Sequence, residues 1–459
     1  MTFNVNIRPF NKLKPISFEC VNINDDFWSK RQQINREISI QHQYEKLEQD
    51  FHIDNFKVAS GIKKGVQIGE FYFDSDLYKW LEAASYILHT HKNADLEKKV
   101  NELVDLIKNS QTQDGYINTF YSTRFLHKRF TNLNIMHELY CAGHLIQAAI
   151  AHQKATGSNK LMTVAINFAN LLVEIFHDGK RKGVPGHEEI EMALIELYRL
   201  TENSNYLRLA EDFLNRRGLI SNFKTYAVNQ YLDMLSTLNL AKKKNQEFQR
   251  ASKSPIDISS NKSEVVEWVS KLTLKGQLIL LKEYLDGKYI QTNVPVRQII
   301  EPVGHAVRAM YLYCGMADLF SETGDKKLLF ALRRVWLKMV KARMYITGGI
   351  GSKRDTEGFK KDFALKNENS YSETCAAIGN MMWNLRMLQI TGNCKYADLI
   401  ELILYNAMLV GQSIDGIEYT YDNPLVSRGN DKRFEWFRCA CCPPNVARTI
   451  NSIGKYIYS

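Results

Sequence analysis

The residues best suited to chemistry lie near the end of the chain, in Arg438-Cys439-Ala440-Cys441-Cys442-Pro443-Pro444-Asn445. Three of the eight cysteines fall within four positions there, two of them adjacent and followed by two prolines. Upstream, Glu373-Thr374-Cys375 sets another thiol beside a carboxylate. Together the two segments offer zinc one carboxylate and three sulfurs, a donor set that it accepts readily. Isolated Cys20, Cys141, Cys314 and Cys394 read instead as small buried hydrophobes. Adjacent cysteines ahead of a double proline have no evident packing purpose. Glu373 and Cys375 are two apart and cannot share a helix face, so they belong where the chain enters a helix.

Three histidine-bearing runs could supply hydrogen bonds to a polar ligand: His137-Glu138-Leu139-Tyr140, Gly186-His187-Glu188-Glu189 and Gly304-His305-Ala306-Val307-Arg308. Singly, each histidine is an ordinary capping or core residue. At equivalent positions of a repeating fold, the three would form a polar site of the kind a sugar needs.

The elements that would carry these residues are helical. An amphipathic stretch repeatedly ends in a polar turn and a second one follows, at Thr90-His91-Lys92-Asn93, Thr156-Gly157-Ser158-Asn159, Thr201-Glu202-Asn203, Thr323-Gly324-Asp325 and Thr391-Gly392-Asn393. Glycine after the last periodic residue fits a helix C-cap. Asp74 or Ser75 is the expected N-cap of the first such helix. Recurring helical hairpins must bury their apolar stripes on one another, and a closed ring does this economically. The expected fold is therefore mainly α, an (α/α)6 barrel, with an open α-solenoid as the alternative. Its sixth hairpin is expected within about 225–285, with a polar loop over 242–262. Short strands are expected in rim loops, at 342–351 and 417–422. The domain reading is an N-terminal extension over 1–20 and one barrel domain over 21–459.

Composition excludes several function classes. The chain is 45% apolar and 24% charged, and its formal charge of +10 comes from scattered lysines. No recognised nucleic-acid fold accompanies that charge, so nucleic-acid binding is not expected. No run of eighteen apolar residues occurs, so no membrane span is expected. Met1 to Lys14 lacks an apolar core after its basic residues, which gives no secretory signal and points to a cytoplasmic protein with reduced thiols.

Read together, Asp74 to Ala83, His137 to Ile146, Gly186 to Glu191, Gly304 to Tyr311, Tyr345 to Gly351, Tyr371 to Ala376 and Cys439 to Asn445 resemble glycoside hydrolase family 127, the β-L-arabinofuranosidases. They stand in the family's order and span the chain from about residue 20 to its end. The resemblance implies an α/α six-barrel followed by β-sandwich domains. It also implies a zinc ion on Glu373, Cys375, Cys441 and Cys442, with Cys441 as nucleophile and Glu357 as acid/base. Sugar contacts are implied for Gln43, His137, His187, His305, Glu401 and Tyr421. The implied enzyme is a retaining glycoside hydrolase that releases β-L-arabinofuranose from plant-type glycans.

Three departures from the family pattern bear on substrate choice: Thr356 before Glu357, Leu365-Lys366-Asn367 without a proline, and Asn293 in place of a histidine. The chain stops at Ser459 where relatives continue, so the β-sandwich domains are expected to be absent, an apolar patch exposed, and a homodimer admissible. Two competing readings are an inactive family member with a closed structural zinc site and a carbohydrate-binding module. Glu357 and the rim histidines favour the enzyme, because a structural site needs none of them.

Overall fold

The computed structural model describes residues 8–179, 181–252, 273–368 and 370–458. Five helical hairpins occur where the polar turns predict them. They are α3 (Asp74–Thr90) with α4 (Ala94–Asn109), α5 (Glu138–Thr156) with α6 (Lys160–Phe176), and α7 (Ile190–Thr201) with α8 (Ser204–Arg216). After α9 (Phe223–Ser252) and α10 (Leu274–Leu285) follow α11 (Ala306–Thr323) with α12 (Lys326–Ala342), then α13 (Thr374–Thr391) with α14 (Lys395–Ile403). The turns share one mechanism. Each first helix ends on a threonine whose hydroxyl donates back to the carbonyl four residues earlier, at 2.7–3.3 Å. After α5, α11 and α13 the next residue is glycine in the left-handed region (φ 71°, 69° and 63°), where a side chain would be strained. The second helix of three hairpins is then capped by Asn93, Asn203 or Asp325.

The first helices form the inner row: α3 packs on α5, α5 on α7, α7 on α11 and α11 on α13. The row is closed by α15 (Cys442–Asn451), which packs between α13 and α3. Inner helices are buried all round, as in α11 from Ala306 to Ser321. Outer helices bury one stripe, as α12 does with Leu328, Ala331, Leu332, Val335, Trp336 and Met339.

The sixth hairpin differs from the expectation. Among the described residues of 225–285, α9 and α10 pack on each other rather than into the inner row. The sixth hairpin's inner member is α15, from the end of the chain, and it rests on α1 (Trp28–Ile34), the π-turn Asn35–Ser39 and α2 (Ile40–Gln49) from the beginning. Closure by the two ends leaves no local turn to read. Within the expected polar loop, Lys242 to Ser252 are the end of α9, and residues 253–262 lie outside the described residues. α9 instead crosses the rim: Gln230 donates to the Thr131 carbonyl (2.8 Å) and Lys128 reaches Asp233 (3.3 Å).

The expected strands shrink to isolated bridges, Met344 with Ile350 and Tyr419 with Gln412 and Phe434. Helix α3 begins at Asp74 with Phe73 as N-cap, so neither Asp74 nor Ser75 caps it. Asp74 accepts instead from the Thr119 amide (2.7 Å) and hydroxyl (2.5 Å). Residues 8–20 lie against the barrel's far end, where Phe10 N–H donates to Ser321 O (3.2 Å) and Lys12 N–H to Gln389 O (2.9 Å). Among the described residues no helix is long and apolar enough to cross a membrane.

Candidate active site

Each hairpin runs down its inner helix and back up its outer one, so the inner helices all start at one rim. The chemistry-bearing residues sit at those starts. His137 is the N-cap of α5, His305 of α11, Glu373 of α13 and Cys441 of α15, and His187 lies three residues before α7. Helix N-termini carry partial positive charge, so this rim favours thiolates and carboxylates.

At the junction of α13 and α15 the four expected metal ligands converge. Cys375 Sγ lies 3.7 Å from Cys441 Sγ and 3.3 Å from Cys442 Sγ, and those two are 3.8 Å apart. Glu373 Oε1 is 3.8 Å from Cys441 Sγ. A tetrahedral zinc with Zn–S near 2.3 Å separates sulfurs by about 3.8 Å, and sulfur from a carboxylate oxygen by about 3.5 Å. The residues fit such an ion. Burial drives Glu373 well above the usual carboxylate range, helped by Cys441 and Glu357. Burial also opposes ionisation of Cys375, yet its hydrogen bonds with Cys441 and Cys442 bring it down to about 6. A donor set so crowded with acidic groups suits a dication. Cys442 and Cys375 are buried and Cys441 is half-buried, so Cys441 is the most exposed residue of the three.

Glu357 faces this cluster. It lies in a tight loop in the left-handed region (φ 50°), a strained conformation for a glutamate. Tyr371 O–H donates to Glu357 Oε1 (2.6 Å) and stands 3.4 Å from Glu373 Oε2, bridging the two carboxyl groups. His305 Nε2 lies 3.0 Å from Glu357 Oε2. His305 Nδ1 accepts from the Val307 amide (3.2 Å), which fixes the proton on Nε2 and makes it the donor to Glu357. Burial works against the Glu357 carboxylate, but His305, Tyr371 and Arg308 outweigh it and hold it below the usual range.

The three histidines line up across the rim, ring centres 5.4 Å apart from His137 to His187 and 5.9 Å from His187 to His305. Burial and the Arg308 guanidinium push His137 down to about 3 and also lower His187. Neutral rings both donate and accept. His137 Nδ1–H points to the Ile135 carbonyl and His187 Nδ1–H to the Glu188 carbonyl (3.1 Å), leaving each Nε2 as an acceptor.

Tyr421 borders the cluster: its carbonyl accepts from the Thr374 amide (3.0 Å) and its hydroxyl lies 3.9 Å from Cys439 Sγ. Gln43 reaches the first turn of α15, donating to the Pro443 carbonyl (3.1 Å) and to the Tyr419 hydroxyl (3.0 Å). Glu401 is not brought to the site. It is exposed on the outer helix α14, whose buried stripe is Tyr396, Leu399, Ile400 and Ile403, so its register turns it to solvent. Sequence reasoning missed the roles of Tyr371 and Arg308, although both stand in runs it singled out. The signal was position: two residues before Glu373, and one helical turn after His305.

A model of the "Beta-L-arabinofuranosidase, GH127 catalytic domain" matches residues 20–455. The chain belongs to glycoside hydrolase family 127. It is 34% identical over 425 residues to the non-reducing end beta-L-arabinofuranosidase of Bifidobacterium longum subsp. longum, a match that covers 89% of this chain and 58% of that protein. Its fold matches a solved GH127 beta-L-arabinofuranosidase from Geobacillus stearothermophilus T6 with a TM-score of 0.80 and 36% identity, over 96% of this chain and 65% of that one. A second solved GH127 beta-arabinofuranosidase gives a TM-score of 0.80 and 33% identity, over 98% and 63% of the two chains. The chain therefore spans about three-fifths of the length of these relatives.

Proposed function

We propose that this GH127 chain is a retaining glycoside hydrolase acting on terminal β-L-arabinofuranose of plant-type glycans, with Cys441 as nucleophile and Glu357 as acid/base. The observation that carries the reading is the pairing of a half-buried Cys441, alone so exposed among three clustered thiols, with a carboxyl group facing the same cluster. A structural metal site has no use for Glu357 or for a row of neutral histidines.

Glu373, Cys375, Cys441 and Cys442 would hold zinc. When bound, zinc would keep the thiols deprotonated at neutral pH, where a free thiol is only a few per cent thiolate. The sugar ring lies against His137, His187 and His305, whose two Nε2 acceptors and one Nε2–H donor orient its hydroxyls, with Tyr421 and Gln43 as further contacts. Cys441 sulfur attacks the anomeric carbon as Glu357 protonates the departing oxygen, giving a thioglycoside. When His305 Nε2–H turns to a sugar hydroxyl, Glu357 loses its strongest anion-stabilising donor and rises toward the protonated form that this step needs. In the second half, Glu357 as carboxylate takes a proton from water, which displaces the sulfur with net retention.

The test is release of p-nitrophenol from p-nitrophenyl β-L-arabinofuranoside, together with metal analysis of the same sample. Turnover with one zinc per chain supports the reading. Stoichiometric zinc without turnover would replace the enzyme by a structural site.

A further inference from the structure

The loop that carries Glu357 is held at both ends by backbone. Lys353 N–H donates to Gly358 O and Gly358 N–H to Lys353 O, both at 2.9 Å. Gly358 in turn lies so close to Gly304 that an added Cβ would sit 2.1 Å from its carbonyl oxygen. Between these bonds Glu357 occupies its left-handed conformation. Its carboxylate is hydrogen-bonded only by His305 and Tyr371 among the described side chains. Those are the groups that must yield when a sugar enters.

One further hold lies outside the reacting groups. The Lys353 ammonium pairs with Glu283 Oε1 of α10, the two side chains being 11% and 20% exposed. Among the described residues, Glu283 Oε2 is buried without a hydrogen-bond partner. The Glu283 carbonyl accepts from the Tyr289 amide (3.1 Å). The Tyr289 ring lies 6.0 Å from His305 and beneath the Arg308 guanidinium at 4.7 Å. On the neighbouring residue, the Tyr284 hydroxyl meets Asn134 Nδ2 (3.5 Å), in the loop that leads to His137. Glu283 thus stands where α10, the Glu357 loop and the histidine row meet.

We propose that the Glu283–Lys353 ion pair is a positioning clamp that keeps the Glu357 loop in its strained form while His305 and Tyr371 exchange partners with substrate. Neither residue touches the reacting atoms. Lys353 acts through the backbone bonds to Gly358 and Glu283 through Lys353. The proposal rests on the hydrolase reading and adds a part to it. A largely buried pair can hold a loop in this way, where an exposed pair would contribute almost nothing. A small displacement of an acid/base group costs on the order of 10–100-fold in rate.

The experiment compares Glu283→Gln, Lys353→Met, the double variant and Lys353→Arg in the full zinc-loaded chain. Melting temperature and zinc content verify that each variant folds. With a disaccharide, whose leaving oxygen needs protonation, kcat should fall about 10–100-fold in Glu283→Gln with KM nearly unchanged. With p-nitrophenyl β-L-arabinofuranoside, which needs little protonation in the first half, the loss in kcat/KM should be much smaller than the loss in kcat/KM with the disaccharide. The double variant should be no worse than either single one, and Lys353→Arg should recover most of the rate. Without any substrate, the amides of Lys353 and Gly358 should exchange with deuterium faster in Glu283→Gln than in wild type. Equal losses in kcat/KM on both substrates, additive effects, or unchanged exchange would overturn the clamp. If wild type hydrolyses neither substrate the hydrolase reading fails, and the exchange measurement still decides on the clamp alone.

Discussion

Arg448 fastens the helix that bears the cysteine pair, and its removal has a calculable cost. It is 4% exposed, and from α15 it reaches three other inner helices. Nη1 donates to Glu82 Oε2 of α3 (2.7 Å) and to Gln147 Oε1 of α5 (2.9 Å), and Nη2 to the Tyr311 hydroxyl of α11 (3.2 Å). Nε holds Asn445 Oδ1 within α15 (2.7 Å). In Arg448→Met the side-chain volume nearly stays and every donor goes, leaving Glu82 with the Tyr86 hydroxyl (2.7 Å) as its one hydrogen-bond donor among the described side chains and Lys455 as a nearby cation. Breaking a buried pair from one side costs about 3–5 kcal/mol. At about 2.1 cal/mol/K per residue, the unfolding entropy of 459 residues is about 1 kcal/mol/K, so Tm should fall by about 3–5 °C. Because Cys441 and Cys442 begin the loosened helix, zinc should also pass faster to a chromophoric chelator. Thermal unfolding and zinc-transfer rates at equal free zinc measure both effects. Arg448→Met with Glu82→Leu should regain part of the loss, since no charge is then stranded. An unchanged Tm in the single variant, or a double variant less stable than the single, would refute this account of the closure.

Other outcomes follow from single sites. At the far end of the barrel, burial opposes the Asp318 carboxylate, but Arg386 (2.6 Å) and Arg199 (2.9 Å) hold its pKa down to about 2. A depressed carboxylate stabilises above its unfolded pKa, near 3.9, and the gain is lost as pH falls through about 2. Asp318→Asn should therefore be less stable than wild type at pH 7 by about 3–5 kcal/mol, the gap narrowing between about pH 4 and 2 in denaturant titrations. Gly358→Ala should lower both Tm and kcat, because its methyl group would meet the Gly304 carbonyl; overpacking of this kind costs about 1–3 kcal/mol. Glu373→Ala or Cys375→Ala should lose most of the zinc measured by metal analysis, because each removes one corner of the donor tetrahedron.

What the sequence made legible is what is local. The polar turns mark five hairpins because a threonine hydroxyl ends each inner helix, with a glycine in the left-handed region after three of them. The placement of Glu373 and Cys375 at a helix start followed from their spacing alone. The sixth hairpin was hidden because it joins α15 to α1 and α2 across the whole chain, with no turn between them. The same distance hid Arg448 and Glu82, which are 366 residues apart and look like surface charges in any window. Residues 342–351 and 417–422 have strand-like composition, but without partner strands they end as single bridges. Glu357, in a strained loop without periodicity, was reached through the family resemblance alone. Glu401, reached the same way, failed because its helix turns it outward.

The central claim is that Cys441 sulfur attacks the sugar. An arabinofuranose-shaped cyclophellitol electrophile, followed by digestion and peptide mass mapping, tests it most directly. The expected result is one adduct per chain on Cys441, absent in Cys441→Ser, with Glu357→Gln still zinc-loaded but labelled more slowly. An adduct on Glu357 or Glu373 instead, or release of the inverted anomer from a β-L-arabinofuranoside, would contradict the cysteine mechanism.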